Sequence, residues 1–450
     1  MQFPKDFIWG AAAASYQIEG AAAEDGRGLC VWDMFSRQPG KVWRNQNGAT
    51  ACDHYHRFRE DVDLMADLGL QAYRFSVSWP RVIPAGTGSI NQAGLDFYDK
   101  LVDALLEKNI QPWLTLFHWD YPYELYCRGG WLSPDSSDWF ADYTAVMVER
   151  LSDRVQHWIP QNEPQCFLGL GHVTGNHAPG MKMGTAEAML AVHNSLLAHG
   201  KAVQVIRAKA VLPPVIGTAP AGKVCIPRTA SAEDIAAARQ ATFSNTTKDI
   251  YSNSIFTDPL ILGHYPEDCI QVMGADMPNV TEQDMRTICQ PLDFYGVNLY
   301  FGHWVEATEH GGWQPAESVI GPPLTTMEWE VSPAVLYWGA RFLHERYKLP
   351  IVITENGMAN TDWIHLDGKV HDPQRIDYLH RHLREFARAS AEGIPCLGYM
   401  QWSIMDNFEW GHGYKQRFGL IYVDYETGRR VPKDSYYWYR NVIKTNGTEL

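Results

Sequence analysis

Long hydrophobic runs are missing from this chain: no uninterrupted apolar stretch approaches 18 residues, so no helix is expected to cross a membrane. The N-terminal Met1-Gln2-Phe3-Pro4-Lys5-Asp6 has no basic stretch leading into an apolar run, and a secretion signal is not expected there. Cysteine pairs at metal-binding spacing are also missing. The eight cysteines, at 30, 52, 127, 166, 225, 269, 289 and 396, form no C-x-x-C unit and read as scattered reduced thiols, which fits a cytoplasmic protein. The sequons at Asn245, Asn279 and Asn446 then read as chance matches. Positive charge is in deficit, 38 Lys and Arg against 52 Asp and Glu, for a net charge of -14 that repels polyphosphates and anionic lipids. Nucleic acid and membrane are therefore not expected partners. No low-complexity tract, linker or internal repeat divides the 450 residues, so residues 1–450 are expected to form one domain.

The composition is that of an ordinary globular chain, 45% hydrophobic and 20% charged, but aromatics reach 12%, with 17 Trp and 22 Tyr. Flat apolar faces with polar edges suit sugar rings, although most such residues pack cores. Short apolar, β-branched or aromatic runs alternate with longer segments of helical periodicity, the pattern of parallel β/α units. Strands are predicted at 7–13, 72–77, 112–117, 157–162, 214–218, 294–298, 350–354 and 397–402. Helices are predicted at 53–68, 91–108, 135–151, 185–209, 332–347 and 373–392, with the fifth unit left open. Eight such strands point to an α/β fold, a (β/α)8 TIM barrel, whose functional residues stand just beyond the strand C-termini.

Those ends carry Gln17 with Glu19, Arg74, His118-Trp119-Asp120, Asn162-Glu163, Asn298 with Tyr300, Glu355-Asn356, and Trp402 followed by Asp406 and Glu409. Any one of these could simply mark where the chain meets water. Two glutamates narrow the chemistry. Glu163 follows the run from His157 and Glu355 the run from Pro350, so in a barrel both face the same mouth. Glycosidic cleavage needs one carboxylic acid to protonate the departing oxygen and one carboxylate to stabilise or attack the anomeric carbon. A separation of about 5 Å gives retention and roughly 6.5 to 9.5 Å gives inversion. Arg74 and Tyr300 could keep Glu355 ionised, and the amide of Asn162 could hold a sugar hydroxyl. Metal chemistry has little support despite 17 His, since His54 and His56 are two apart on a predicted helix and face different sides.

At these residues the chain resembles glycoside hydrolase family one, the β-glucosidase and β-galactosidase family, from about Phe7 to Tyr439. The resemblance rests on Phe7-Ile8-Trp9-Gly10, Ser15-Tyr16-Gln17-Ile18-Glu19-Gly20, Tyr73-Arg74-Phe75-Ser76, His118-Trp119-Asp120, Asn162-Glu163-Pro164 and His177-Ala178-Pro179-Gly180. It continues with Asp293-Phe294-Tyr295-Gly296-Val297-Asn298, Thr354-Glu355-Asn356-Gly357, and Trp402-Ser403 through Asn407-Phe408-Glu409-Trp410. It implies a retaining β-glucosidase without metal or organic cofactor, acting on a small β-glycoside, with Glu163 as acid/base and Glu355 as nucleophile. Gln17, His118, Asn162, Glu409 and Trp410 would hold sugar hydroxyls, Trp402 would form the floor, and Trp119 and Phe418 would line the pocket. Asn298 and Tyr300 would hold the nucleophile region with Arg74, and Trp329 would stack on the leaving group. Glu409 would repel a phosphate, favouring a free hexose.

The chain departs from the family pattern at Pro160-Gln161 before the first glutamate, at Gln165-Cys166 after it, at Glu328, and at Tyr121-Pro122-Tyr123-Glu124. A β-galactosidase, β-fucosidase or mixed β-glycosidase, and a catalytically silent sugar-binding barrel, are the alternatives. Oligomeric state is not addressed by these residues.

Overall fold

A computed structural model describes residues 3–317 and 319–450; Met1 and Gln2 of the N-terminal motif lie outside them. Its strands in chain order are β1 (Ile8–Ala12), β2 (Ala72–Ser76), β3 (Gln111–Phe117), β4 (His157–Gln161), β5 (Val215–Ile216), β6 (Cys225–Pro227), β7 (Tyr295–Asn298), β8 (His303–Ala307), β9 (Trp313–Pro315), β10 (Ile351–Asn356), β11 (Cys396–Trp402), β12 (Ile421–Val423) and β13 (Arg430–Pro432). Eight of them form one parallel sheet in the order β5-β4-β3-β2-β1-β11-β10-β7. A parallel bridge between Gly217 and Phe294 joins its two ends, so the sheet closes into the (β/α)8 barrel.

All eight predicted strands are present, with ends displaced by one or two residues in most. The long helices also fall where periodicity puts them: His54–Leu68, Gln92–Glu107, Ser136–Leu151, Thr185–Lys209, Ala334–Tyr347 and Pro373–Ala391. Helix Pro373–Ala391 shows the cause, since Tyr378, Leu379, His382, Leu383 and Phe386 recur on one buried face while Arg381 and Arg384 are exposed. The lumen is filled rather than hollow: Ala12, Ala72, Trp113, Ile159, Phe294, Val352 and Met400 pack there, with Trp402 and Phe418 in the same cluster.

Two features depart from the expected layout. Glu355 does not follow its strand but lies within β10, because the register with both neighbours slips between Ile353 and Asn356. Such an irregularity re-aims a side chain at the strand end. The fifth unit, left open by the sequence, is a two-residue strand followed by β6 and helices Ala232–Phe243, Asn253–Ile261, Glu267–Met273 and Glu282–Ile288; β6 pairs in a small sheet with β8 and β9, which follow β7. Gly217, Pro220 and Gly222 interrupt the strand signal, and the alanine-rich first helix carries little periodicity.

The segment between β11 and β12 is anchored by a buried charge cluster. Lys433 Nζ donates to Asp362 at 2.5 Å and to Asp406 at 2.7 Å; Arg375 pairs with Asp362 and Asp372, and Arg417 with Asp406. His54 and His56 pair with Asp61 and Asp53 respectively, and neither lines the cavity that holds the two glutamates. Among the described residues no helix is long and apolar enough to cross a membrane.

Candidate active site

Glu355 is held from two sides. Arg74, entering from β2, donates from Nη1 to Glu355 Oε1 at 2.6 Å, and the Tyr300 hydroxyl donates to Oε2 at 2.7 Å. Arg74 is itself fixed by the Thr354 carbonyl and the Thr115 hydroxyl, and the Tyr300 backbone carbonyl accepts from Tyr378. Arg74 and Glu355 are both almost wholly buried. Burial raises the Glu355 pKa, while the Arg74 charge and the Tyr300 hydroxyl oppose that rise by favouring the carboxylate. Gly357, two residues on, approaches the pocket floor so closely that a Cβ there would meet the Trp402 carbonyl at 1.9 Å.

Glu163 has a different environment. It caps helix Pro164–Leu168 with its backbone in the left-handed region, φ 46°. Trp119 and Trp410 share that conformation, at φ 77° and 45°. Non-glycine residues held there cost about 1–3 kcal/mol each, and such positions cluster at functional sites. The Glu163 carboxyl receives the Asn298 amide at 2.8 Å, and among the described residues no cation is bonded to it. Burial and the nearby Glu355 charge push its pKa up to about 8. The same Asn298 nitrogen donates to Asn162 Oδ1, which also accepts from Arg74 Nη2, so one polar chain links the two glutamates. Asn298 was expected beside Glu355 alone; its amide also serves Glu163, because its carbonyl is turned to the Thr354 hydroxyl.

Both carboxyls border a cavity of about 360 Å³, whose wall includes His118, Trp119, Trp329, Trp402, Glu409, Trp410 and Phe418. Arg74, Asn162 and Gln17 stand behind this wall. With Asn162 Oδ1 occupied by two donors, its Nδ2 faces His118 Nε2 at 3.1 Å, which assigns the imidazole proton to Nδ1. Burial and Arg74 keep His118 neutral. Gln17 Nε2 donates to Asn407 Oδ1 and the Phe408 carbonyl and approaches Glu409 Oε2 at 3.4 Å, leaving a buried Oε1 with no partner among the described residues. Glu409 is pushed up to about 8 by burial and by the charges of Glu355 and Glu163. Trp402 lies nearly parallel to His118 with centroids 5.7 Å apart, and Trp329 sits at the rim 5.1 Å from the Tyr300 ring.

The cavity also presents Cys166, Tyr251, Lys223, Phe301 and His303, which sequence reasoning did not select. Cys166 adjoins the Asn162-Glu163-Pro164 motif and was visible as a departure from the family pattern. The others come from or beside the fifth unit, where no local pattern marked them.

The chain matches the family model described as glycosyl hydrolase family 1 over residues 1–448. It is 45% identical over 448 residues, 99% of each chain, to the 1,4-beta-D-glucan glucohydrolase of Thermotoga neapolitana. It is 44% identical to Beta-glucosidase A of Thermotoga maritima, over 100% of this chain and 99% of that one. The structure of the Thermotoga maritima β-glucosidase in complex with castanospermine superposes with a TM-score of 0.91 at 44% identity, covering 100% of both chains. With the barrel, the paired glutamates and these likenesses together, the chain belongs to glycosyl hydrolase family 1.

Proposed function

We propose that this chain removes terminal β-D-glucosyl residues from β-glucosides and short oligosaccharides by double displacement, with Glu163 as acid/base and Glu355 as nucleophile. The observation that carries this reading is the opposite treatment of two buried carboxyls on one cavity: Glu355 is paired with Arg74, whereas Glu163 receives the neutral amide of Asn298. The first is kept ionised and the second protonated, the division of labour the reaction needs.

In the first step Glu163 gives its proton to the glycosidic oxygen as that oxygen leaves the anomeric carbon, and a Glu355 oxygen bonds to the same carbon. Esterification removes the Glu355 charge, one of the causes holding the Glu163 pKa up. Glu163 therefore becomes a stronger acid just when it must remain a carboxylate. It then takes a proton from water, whose oxygen displaces Glu355 and restores the β configuration. His118 Nδ1–H and the Glu409 carboxyl supply a donor and acceptors for sugar hydroxyls above the Trp402 face, and Gln17 stands behind Glu409 with its Nε2 toward that carboxyl. One catalytic domain over residues 1–450, located in the cytoplasm, completes the proposal; the free state of all eight cysteines supports that location.

The pH dependence follows from the sign of the shift. Since Glu163 acts while protonated and its pKa is raised to about 8, kcat/KM is expected to hold through neutrality and fall as pH rises through about 8. A pH profile with p-nitrophenyl β-glucoside measures this; a basic limb in the ordinary carboxylate range would contradict it. Glu409→Gln is expected to lower kcat/KM by about ten- to a hundredfold, the cost of disturbing one or two hydrogen bonds between a buried carboxyl and sugar hydroxyls. Steady-state rates on the same substrate check it.

Hydrolysis of matched p-nitrophenyl β-glucoside, β-galactoside and β-glucoside-6-phosphate, followed by proton NMR, tests the function as a whole. Preference for the unphosphorylated glucoside with β-glucose formed first is expected. Preference for the phosphorylated sugar, or α product first, would overturn substrate or stereochemistry respectively.

A further inference from the structure

Glu163 shares its helical turn with a thiol. It caps helix Pro164–Leu168, and Cys166 is the third residue of that helix. A cap residue and the third helical position lie on the same side of the first turn, and here both border the same cavity. The Cys166 N–H closes the turn by donating to the Glu163 carbonyl at 2.9 Å. The Cys166 side chain is buried against the Glu163 carboxyl, and its hydrogen bond there favours the charged form of that group. Its sulfur also meets the hydroxyl of the half-buried Tyr251 at 3.9 Å, and among the described residues that hydroxyl has no other hydrogen-bond partner.

The direction of this chain is fixed by chemistry. An ionised carboxylate only accepts, so the thiol points its hydrogen at Glu163 and its sulfur takes the proton of the Tyr251 hydroxyl. Burial and the Glu163 charge raise the thiol's pKa, and Cys166 together with burial raises that of Tyr251, so both remain protonated donors. Gln165 holds the two together: its Nε2 donates to the Ser252 carbonyl at 3.4 Å and its Oε1 accepts from the Ala221 N–H at 3.2 Å. The helix that begins at Glu163 is thereby tied to the segment carrying Tyr251. Gln165 and Cys166 are also the residues at which the chain departs from the family pattern after its first glutamate.

We propose that Cys166 and Tyr251 are positioning residues for Glu163, a donor chain that steadies its carboxylate once the proton has passed to the glycosidic oxygen, an inference that rests on Glu163 being the acid/base. The chain serves both halves of the reaction. It makes Glu163 a readier acid in the first step and keeps it ionised, as the base, in the second. The other groups around Glu163 are Arg74 from β2, Tyr300 beyond β7, Glu355 from β10 and Glu409 beyond β11, with His118 and Lys223 on the cavity wall. None of these is altered by substitution at 166 or 251, so a shift between variants reports the donor chain.

Two pH profiles test this, for the unmodified protein, Cys166→Val, Cys166→Ser and Tyr251→Phe. The basic limb of kcat/KM on p-nitrophenyl β-glucoside follows protonated Glu163, and the acid limb of kcat on 2,4-dinitrophenyl β-glucoside follows ionised Glu163 in the glycosyl-enzyme. Valine fills the space of the thiol without a donor. Loss of one hydrogen bond is expected to move both limbs up by about 0.5–1 pH unit in Cys166→Val, and by less in Tyr251→Phe. Cys166→Ser keeps a donor and is expected to return both limbs to, or below, their place in the unmodified protein. A thiol that merely filled space would change rates or the melting temperature and leave both limbs where they were. Unmoved limbs in folded Cys166→Val, or a serine variant shifted as far up as the valine one, overturn the donor chain and leave the acid/base assignment intact. If a thermal melt shows that Cys166→Val does not fold, unmoved limbs in Tyr251→Phe overturn it instead. A basic limb that survives in Glu163→Gln overturns the acid/base assignment and the donor chain with it.

Discussion

Glu355→Ala is expected to lower turnover by roughly 10⁴- to 10⁶-fold, the scale on which loss of a covalent nucleophile is felt. The geometry adds a second expectation. Removing the carboxylate leaves Arg74 buried, with its Nη1 facing an empty space beside the anomeric carbon. A small anion such as azide is drawn to that charge and reaches the carbon from the face Glu355 occupied. Because one displacement then replaces two, the rescued product is the α-glucosyl azide, of inverted configuration. Product analysis by proton NMR in azide, against a control without it, reads both effects. Undiminished activity would remove Glu355 from the reaction, and a β-configured rescue product would mean that the anion enters from the other face. An uncompensated buried charge costs about 3–5 kcal/mol, so the melting temperature of the variant belongs beside the rates.

Glu163→Gln separates acid catalysis from the rest of the site. Its amide fills the same space, but it carries no transferable proton. For alkyl β-glucosides, whose leaving oxygen must be protonated, the rate is expected to fall by roughly 10²- to 10⁴-fold. For 2,4-dinitrophenyl β-glucoside, which leaves as a stable anion, the glycosylation step is expected to change far less. The fall in kcat/KM above pH 8 should disappear together with the group responsible for it. Equal losses across leaving groups would assign Glu163 a structural part instead.

Much of this was legible in the amino-acid sequence, for physical reasons that differ by region. Buried parallel strands show as short apolar runs, as in Ala72–Ser76 and Ile351–Asn356, and their helices show one apolar face, so the barrel could be counted strand by strand. The paired glutamates were visible because each closes such a run. What stayed hidden arises only on folding. The register slip that puts Glu355 inside its strand leaves no local mark. The difference in proton affinity between Glu163 and Glu355 depends on where Arg74 points, and its partner lies 281 residues away in the chain. Lys223 belongs to the irregular fifth unit, where a two-residue strand gives periodicity nothing to register, and His303 lies beyond β7 on β8, which pairs with β6 of that unit.

The cluster that ties Asp406 to Lys433 and Arg417 also determines how the molecule meets salt. Its core members, Asp362, Asp406 and Lys433, are inaccessible to solvent, so mobile ions, which weaken exposed pairs such as Arg381–Asp377, cannot gather between them. Rising ionic strength therefore acts unevenly, relaxing charge pairing on the outer helices while the segment bearing Glu409, Trp410 and Phe418 keeps its anchorage. The pocket is insulated from its ionic surroundings by dryness, and brine would loosen the outside of the barrel before it reached the sugar.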